Sequence, residues 1–381
     1  MESFVYQYPV KNYFGEGAMN VAFEAELPKM GRTVMLAYGG GSIKRTGLYD
    51  EIVAALTAAG KDIVEFAGIM PNPTYEKVQE GARIAREHDV DFILAVGGGS
   101  VFDCCKIVSA QAKLDEDIHE FEHVQGKMPT EFIPMGCVVT LSGTGAEQNN
   151  GGVITDEVRK VKGPFLGALP TWAALDPAYT LTVPTRQFVS GAFDSLSHCM
   201  ETYFGTPRER CTSDDINFAI QRNIIRNMYA HVEKPEDMHA RSELVYDSAM
   251  GENGVLKIGK VTDFQAHQIE HQLGAYTDCN HGQGLAVIHP AYYRHIMNDA
   301  KEKSTRFARI VFGKESAEEG IEALAAFIEE CGLPTKLSQL CSTTEITPEL
   351  LRKVADSTNI INSNPRALDA DEIYDILMEC R

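Results

Sequence analysis

The sequence has no uninterrupted apolar run of the ~18 residues that a membrane span needs. Its opening, Met1-Glu2-Ser3-Phe4, carries neither a basic n-region nor an apolar h-region. No membrane anchor or secretory leader is expected, and the chain reads as cytoplasmic. Positive charge is also scarce: 35 Lys plus Arg stand against 54 Asp plus Glu, a net charge of −19. Such a field repels phosphate backbones and anionic bilayers at long range, so neither nucleic acid nor a membrane is an expected partner. The nine cysteines are odd in number and irregularly spaced, and no C-x-x-C occurs. That excludes a disulfide framework and a zinc ribbon, leaving buried free thiols, the adjacent Cys104 and Cys105 among them. Also missing are G-x-G-x-x-G and G-x-x-x-x-G-K-[ST], the usual glycine signatures of nucleotide sites.

What is present is an ordinary globular composition, 44% hydrophobic and 23% charged over 381 residues, enough for about two domains at roughly 150 residues each. The first half alternates strand-like and helix-like segments. Phe4, Tyr6, Tyr8 and Val10 form a period-2 stretch that predicts an opening strand. Thr33 to Tyr38 is a continuous apolar run, broken by Gly39-Gly40-Gly41-Ser42 and followed by Leu48, Ile52, Leu56 and Ala59 at helical spacing. Ile63 to Phe66 reads as a strand, Thr74 as the cap of a helix carrying Val78, Ala82 and Ala85, and Phe92 to Val96 as a buried strand before Gly97-Gly98-Gly99-Ser100. Wholly apolar strands alternating with helices predict a parallel sheet covered on both faces. Beyond about Pro184 helix punctuation takes over: the capping box Ser316-x-x-Glu319, and helix starts at Thr347-Pro348 and Asp369. The expected division is an α/β domain over 1–184 and an all-helical domain over 185–381.

Two glycine turns that each follow a buried strand leave backbone N–H groups for an anion, which the dipole of the next helix also favours. A third candidate, Thr140-Leu141-Ser142-Gly143-Thr144-Gly145-Ala146-Glu147, follows the strand Cys137 to Thr140 and brings hydroxyls to the same sheet end. A variant dinucleotide fold fits these three turns. The first turn, Gly39-Gly40-Gly41-Ser42-Ile43-Lys44-Arg45, contains no acid to repel a ribose 2′-phosphate. Its N–H groups, the Ser42 hydroxyl, Lys44 and Arg45 suit one, so NADP(H) is expected in preference to NAD(H).

Histidine spacing supplies the second chemical signal. Asp194 and His198 lie four apart and leave one helix face together; His267 and His271 repeat the spacing, and His281 follows in a turn-like segment. One Asp with three His offers O and N donors suited to Fe²⁺ or Zn²⁺. His119 and His123 share the spacing but lie among acidic residues and read as a solvated surface. The stretch His267-Gln268-Ile269-Glu270-His271 also matches H-x-x-E-H, a zinc-peptidase signature in which both histidines ligate and Glu270 is the base. A peptidase has no use for the glycine turns.

With these residues in place the chain resembles the iron-dependent (group III) alcohol dehydrogenase family, in its butanol dehydrogenase and NADPH-dependent aldehyde reductase branch. The resemblance runs through Tyr8-Pro9 to Phe14-Gly15-Glu16-Gly17, both three-glycine turns, Pro71-Asn72-Pro73, Thr140 to Glu147, Leu175-Asp176-Pro177, Asp194-x-x-x-His198, and His267-x-x-x-His271 to His281-Gly282-x-Gly284. It implies a Rossmann-like N-terminal domain and a helical C-terminal one. It also implies hydride transfer between NADP(H) and a primary alcohol or aldehyde such as butanol or butanal, and a homodimer whose N-terminal strands meet. Asp194, His198, His267 and His281 would hold one divalent metal, Fe²⁺ or Zn²⁺. Gly40, Gly41, Ser42, Asn72, Gly98, Gly99, Ser100, Asp103, Thr140, Thr144, Lys162 and Leu181 would line the cofactor site. His271 would lie near the substrate, where imidazole can relay a proton. Cys104-Cys105 departs from the small residues expected in that helix. The alternative on the same scaffold is a lyase resembling dehydroquinate synthase.

Overall fold

Thr33–Tyr38 and Phe92–Gly97 combine β-branched and aliphatic residues without a polar break, and both form strands buried along nearly their whole length. The structure, a computed structural model, describes residues 3–361 and 363–381. Its strands are, in chain order, β1 (Lys11–Phe14), β2 (Thr33–Tyr38), β3 (Asp62–Phe66), β4 (Phe92–Gly97), β5 (Met135–Val139), β6 (Gly151–Asp156), β7 (Val161–Leu166) and β8 (Trp172–Leu175). Six of them form one sheet in the order β1-β8-β5-β4-β2-β3, all parallel, and β6 and β7 form a separate antiparallel pair. Interleaved helices are α1 (Ala18–Glu26), α2 (Ser42–Arg45), α3 (Leu48–Ala58), α4 (Tyr75–Glu87) and α5 (Gly99–Gln111). Thr74 caps α4 by accepting the Lys77 N–H, as its position predicts.

The chain passes from β2 outward to β3 and then back across β2 to β4, so the strand order reverses between β2 and β4. At that switch point the carboxyl ends of an open α/β sheet leave a crevice for ligands. The two three-glycine turns follow β2 and β4, and the Thr140 turn follows the adjacent β5. On one sheet face Val34, Leu36, Leu94 and Val96 pack with Phe23 of α1 and Ile52 and Leu56 of α3. Trp172 meets Phe23 edge-on at 6.2 Å. Gly136 is required there, since a Cβ would fall 2.3 Å from the indole.

The expected opening strand is not where alternation placed it. Residues 3–10 have no regular secondary structure, Phe4, Tyr6 and Tyr8 are exposed, and β1 begins at Lys11, opposite Trp172 of β8. Alternating side chains do not make a strand unless a ladder is within reach, and the edge of β8 is reached only at Lys11.

The second half contains α6 (Thr185–Phe204), α7 (Thr212–Glu233), α8 (Met238–Glu252), α9 (Gln265–Thr277), α10 (His281–Ile296), α11 (Lys301–Phe312), α12 (Ala317–Glu330), α13 (Pro348–Ser357) and α14 (Ala370–Glu379). Ser316, Thr347 and Asp369 cap α12, α13 and α14 through their side chains. Two compact units result, Tyr8–Val183 and Pro184–Arg381, and the described residues before Tyr8 cluster with the second unit rather than the first. No helix among the described residues is long and apolar enough to cross a membrane.

Candidate active site and metal centre

In the first unit the sheet gathers most of the expected cofactor residues at its carboxyl end. Gly41, with φ 85°, precedes α2, which Ser42 opens, and a Cβ at Gly40 would meet open space. Gly98 precedes α5, whose first residues are Gly99 and Ser100. A Cβ at Gly99 would fall 2.3 Å from the Thr144 hydroxyl oxygen, and the Thr140 N–H donates to Gly97 O at 2.8 Å. Glycine at 99 therefore lets the third turn close over the second. The Asn72 turn, with φ 52°, is tied to the β6–β7 pair that carries Lys162: the Thr155 N–H donates to Pro73 O at 2.9 Å, and Thr155 is opposite Lys162. Leu181 lies on the 3₁₀ turn Pro177–Thr182 and is exposed. The Asp103 carboxylate faces the scaffold, accepting the Val153 N–H at 3.0 Å with the Lys106 ammonium 3.6 Å away.

Lys44 is not left open for a phosphate. Its ammonium pairs with Glu65 at 2.7 Å and lies 4.4 Å from the Tyr49 ring centroid, while the Tyr38 hydroxyl also donates to Glu65. The hydrogen bond from Lys44 holds the Glu65 carboxyl below its ordinary range. Glu65 was not singled out by the sequence. The signal that finds it is the parallel register that sets Glu65 opposite Leu36 and so brings it toward the end of β2.

In the second unit α6 carries Asp194 and His198, α9 carries His267 and His271, and His281 opens α10 behind the Asn280 cap. The Nε2 atoms of His267 and His281 each lie 3.5 Å from Asp194 Oδ1, and that of His198 lies 3.9 Å from the same oxygen. Asp194 Oδ1 and His267 Nε2 are buried without a hydrogen-bond partner among the described residues. Asp194 Oδ1 and the Nε2 atoms of His267 and His281 thus form one close donor group, with His198 Nε2 beside it, and the two buried atoms left unpartnered among the described residues are what a divalent metal would satisfy. Burial pushes the Asp194 carboxyl up, but the imidazoles of His198, His281 and His267 outweigh it and hold it well below the carboxylate range. Burial lowers His267 in turn, and the carboxylates of Glu201 and Asp194 overcome that and raise it to about 10.

His271, half-buried, groups with only one of these donors, His281. Its ring centroid lies 6.0 Å from that of His267 and 5.2 Å from that of His281, and its donor atoms group with Glu270 and His281. The pairing of His267 with His271 that H-x-x-E-H needs is absent from the tight donor group, which is Asp194, His267 and His281. Glu270 instead bonds the Nδ1 of His281, and Glu201 bonds the Nδ1 of His267. Glu201 went unnoticed in the sequence, although Asp194, His198 and Glu201 at i, i+4 and i+7 share one face of α6. His119 and His123 lie 5.3 Å apart, and His123 meets Phe165 edge-on at 4.5 Å.

Comparison with known proteins gives one answer along the chain. The family model "Iron-containing alcohol dehydrogenase" matches residues 9–177, and "Fe-containing alcohol dehydrogenase family, C-terminal" matches residues 188–380. A probable NADH-dependent butanol dehydrogenase of Bacillus subtilis is 35% identical, with 99% of each chain covered. The NADPH-dependent aldehyde reductase YqhD of Escherichia coli is also 35% identical, covering 93% of this chain and 94% of its own. The crystal structure of the NADH-dependent butanol dehydrogenase A of Thermotoga maritima superposes with a TM-score of 0.93 at 32% identity, covering 100% of this chain and 99% of that one. These relatives do not favour the lyase or the peptidase.

Proposed function

The chain belongs to the iron-containing alcohol dehydrogenase family, and on that premise we propose that it interconverts primary alkyl aldehydes and alcohols with NADP(H) in preference to NAD(H). The family implies a divalent metal, iron, and a nicotinamide dinucleotide. Asp194, His198, His267 and His281 are the residues to hold the metal, Fe²⁺ or Zn²⁺. The observation that carries this reading is the convergence of three Nε2 atoms on one buried carboxylate oxygen. When bound, the metal supplies Lewis-acid polarisation of the substrate oxygen and the dinucleotide supplies the hydride. The chain's own residues do the rest. The thirteen-residue α5 offers an anion-binding N-terminus behind Gly98 and Gly99. Gly40, Gly41, Ser42, Asn72, Thr140, Thr144, Lys162 and Leu181 line the dinucleotide site, Asp103 braces it, and His271 exchanges the proton at the substrate oxygen.

The NADP(H) preference is supported by the acid-free turn Gly39 to Arg45 and by the name of the Escherichia coli reductase; the butanol dehydrogenases named above are NADH-dependent. Because Glu65 occupies Lys44, the preference rests on Gly40, Gly41, Ser42 and Arg45. We further read the protein as a cytoplasmic homodimer; its nine cysteines are all unpaired, which suits a reducing compartment. The test is kcat/KM for butanal with NADPH and with NADH. A higher value with NADPH is expected, and Gly40→Asp, placed in open space, should shift the ratio toward NADH by charge repulsion. A native enzyme favouring NADH overturns the preference, and absence of cofactor oxidation with any primary aldehyde overturns the substrate class.

A further inference from the structure

Two buried carboxylates outside the set Asp194, His198, His267 and His281 stand directly behind two of its imidazoles: Glu201 behind His267 and Glu270 behind His281. We propose that they are positioning residues that fix the Nδ1–H tautomer of these histidines and so aim the Nε2 lone pairs at the metal position. The inference rests on the metal assignment above. An imidazole that ligates through Nε2 carries its proton on Nδ1, and an acceptor at Nδ1 enforces that tautomer and the ring orientation. His198 has no such support: its Nδ1 is buried without a hydrogen-bond partner among the described residues.

Both cradles are built into the backbone. Glu201 Oε1 accepts the N–H of Ala266 at 2.8 Å and that of His267 at 3.4 Å, in the first turn of α9, while Oε2 takes the imidazole. Glu270 fits beside α10 only because residue 284 is glycine, where a Cβ would fall 2.8 Å from its Cγ and 2.9 Å from its Oε1. The H-x-x-E-H glutamate and the second glycine of His281-Gly282-x-Gly284 thereby acquire one shared role.

The two carboxylates differ in what an amide would do in their place. In Glu201→Gln the amide oxygen is retained by the two peptide donors, so the NH₂ group faces His267 Nδ1 and favours the proton on Nε2, where it blocks ligation. In Glu270→Gln the outer oxygen has the Cys279 thiol 3.7 Å away, a weak donor. With the amide oxygen turned to His281 the acceptor at Nδ1 is kept, and only the charge is lost.

The test uses the full chain with Zn²⁺ as probe. Affinity is read by chelator competition, the hydrogen-bonded histidine Nδ1–H by ¹⁵N NMR of the Zn²⁺-loaded protein, and folding by thermal unfolding without metal. Glu201→Gln should weaken Zn²⁺ binding by ~100-fold and lose the hydrogen-bonded His267 Nδ1–H; Glu270→Gln should cost ~10-fold and keep the His281 Nδ1–H. In Glu201→Gln, a lower metal-free unfolding midpoint with the His267 Nδ1–H retained would make the carboxylate merely structural and overturn the inference. So would affinities within twofold of the unsubstituted protein. If Glu201→Gln does not fold, Glu270→Gln carries the test alone. A native protein that takes up no Zn²⁺ overturns the metal assignment and this inference together, whereas native binding shared by both variants overturns only the inference.

Discussion

His267 and His271 lie one helical turn apart on α9 and are assigned different tasks by their surroundings. His267 faces the Asp194 oxygen, so His267→Ala should lose bound metal and turnover together. His271 lies outside the tight donor group, so His271→Ala should keep the metal and lose up to ~10²-fold in rate. Metal content by elemental analysis beside turnover checks both, and equal metal loss in the two variants would return the H-x-x-E-H pairing. The ligand spacing was legible because i, i+4 places two donors on one helix face wherever that helix packs. The partners of those donors were not, because which carboxylate meets an Nδ1 depends on how α6, α9 and α10 pack. Lys44 shows the same limit: sequence offers it to a phosphate, and Glu65 from the neighbouring strand takes it. Glu65→Gln should release that ammonium and raise the NADPH over NADH ratio of kcat/KM about two- to fivefold, the scale of an exposed ion pair. An unchanged ratio would place Lys44 outside the 2′ position.

Among the elements, α10 is located by the closeness of its backbone to α6. A Cβ at Gly282 would fall 2.1 Å from Ser190 O, a backbone atom that cannot rotate aside. Gly282→Ala should therefore displace the start of α10, carrying His281 with it, at a cost of about 1–3 kcal/mol. Its unfolding midpoint and metal retention should both fall, while Gly40→Ala, in open space, should change neither. Between α7 and α8 the buried Asp247 is pushed up to about 7 by burial, although the Asn223 amide donates to it at 2.8 Å. An unfolded aspartate titrates near ~4, so from there to about 7 the folded chain holds a proton that the unfolded chain has released. Stability from this site is full below that window and is lost as pH rises through it. Asp247→Asn should raise the unfolding midpoint by ~2–4 °C at pH 8 and leave it unchanged at pH 4. A gain of the same size at both pH values would show that packing, not ionisation, is responsible. The central strands were legible in sequence because strands covered on both faces must be apolar throughout. The β6–β7 pair was not, since Gly151, Gly152, Gly163 and Pro164 argue against strands and only the mutual ladder makes them so.

On the scale of the whole molecule, the change from alternating β and α to helices alone was written in the punctuation, since capping boxes and helix starts are local signals that packing does not alter. The beginning of the chain was less legible, and the correction there bears on assembly. The apolar residues expected inside a strand, Phe4, Tyr6 and Tyr8, are 52%, 40% and 42% exposed, and Val5 is fully exposed. They lead into β1, which among the described residues pairs only with β8 and forms one edge of the six-stranded sheet. Phe14, the last residue of that edge strand, is 46% exposed. An open edge flanked by exposed aromatic side chains invites pairing with another chain, and natural proteins rarely leave one uncovered. Two copies related by a twofold axis can cover both edges at once, because such an interface brings the same patch of each subunit together. Light scattering should then report twice 42.0 kDa. Phe14→Glu would set like charges near each other across the axis and should weaken the dimer by ~10-fold or more while leaving the metal-free unfolding transition of the monomer in place. A fully active monomer at assay concentration would refute the dimer, and a dimer indifferent to the glutamate would move its interface away from β1.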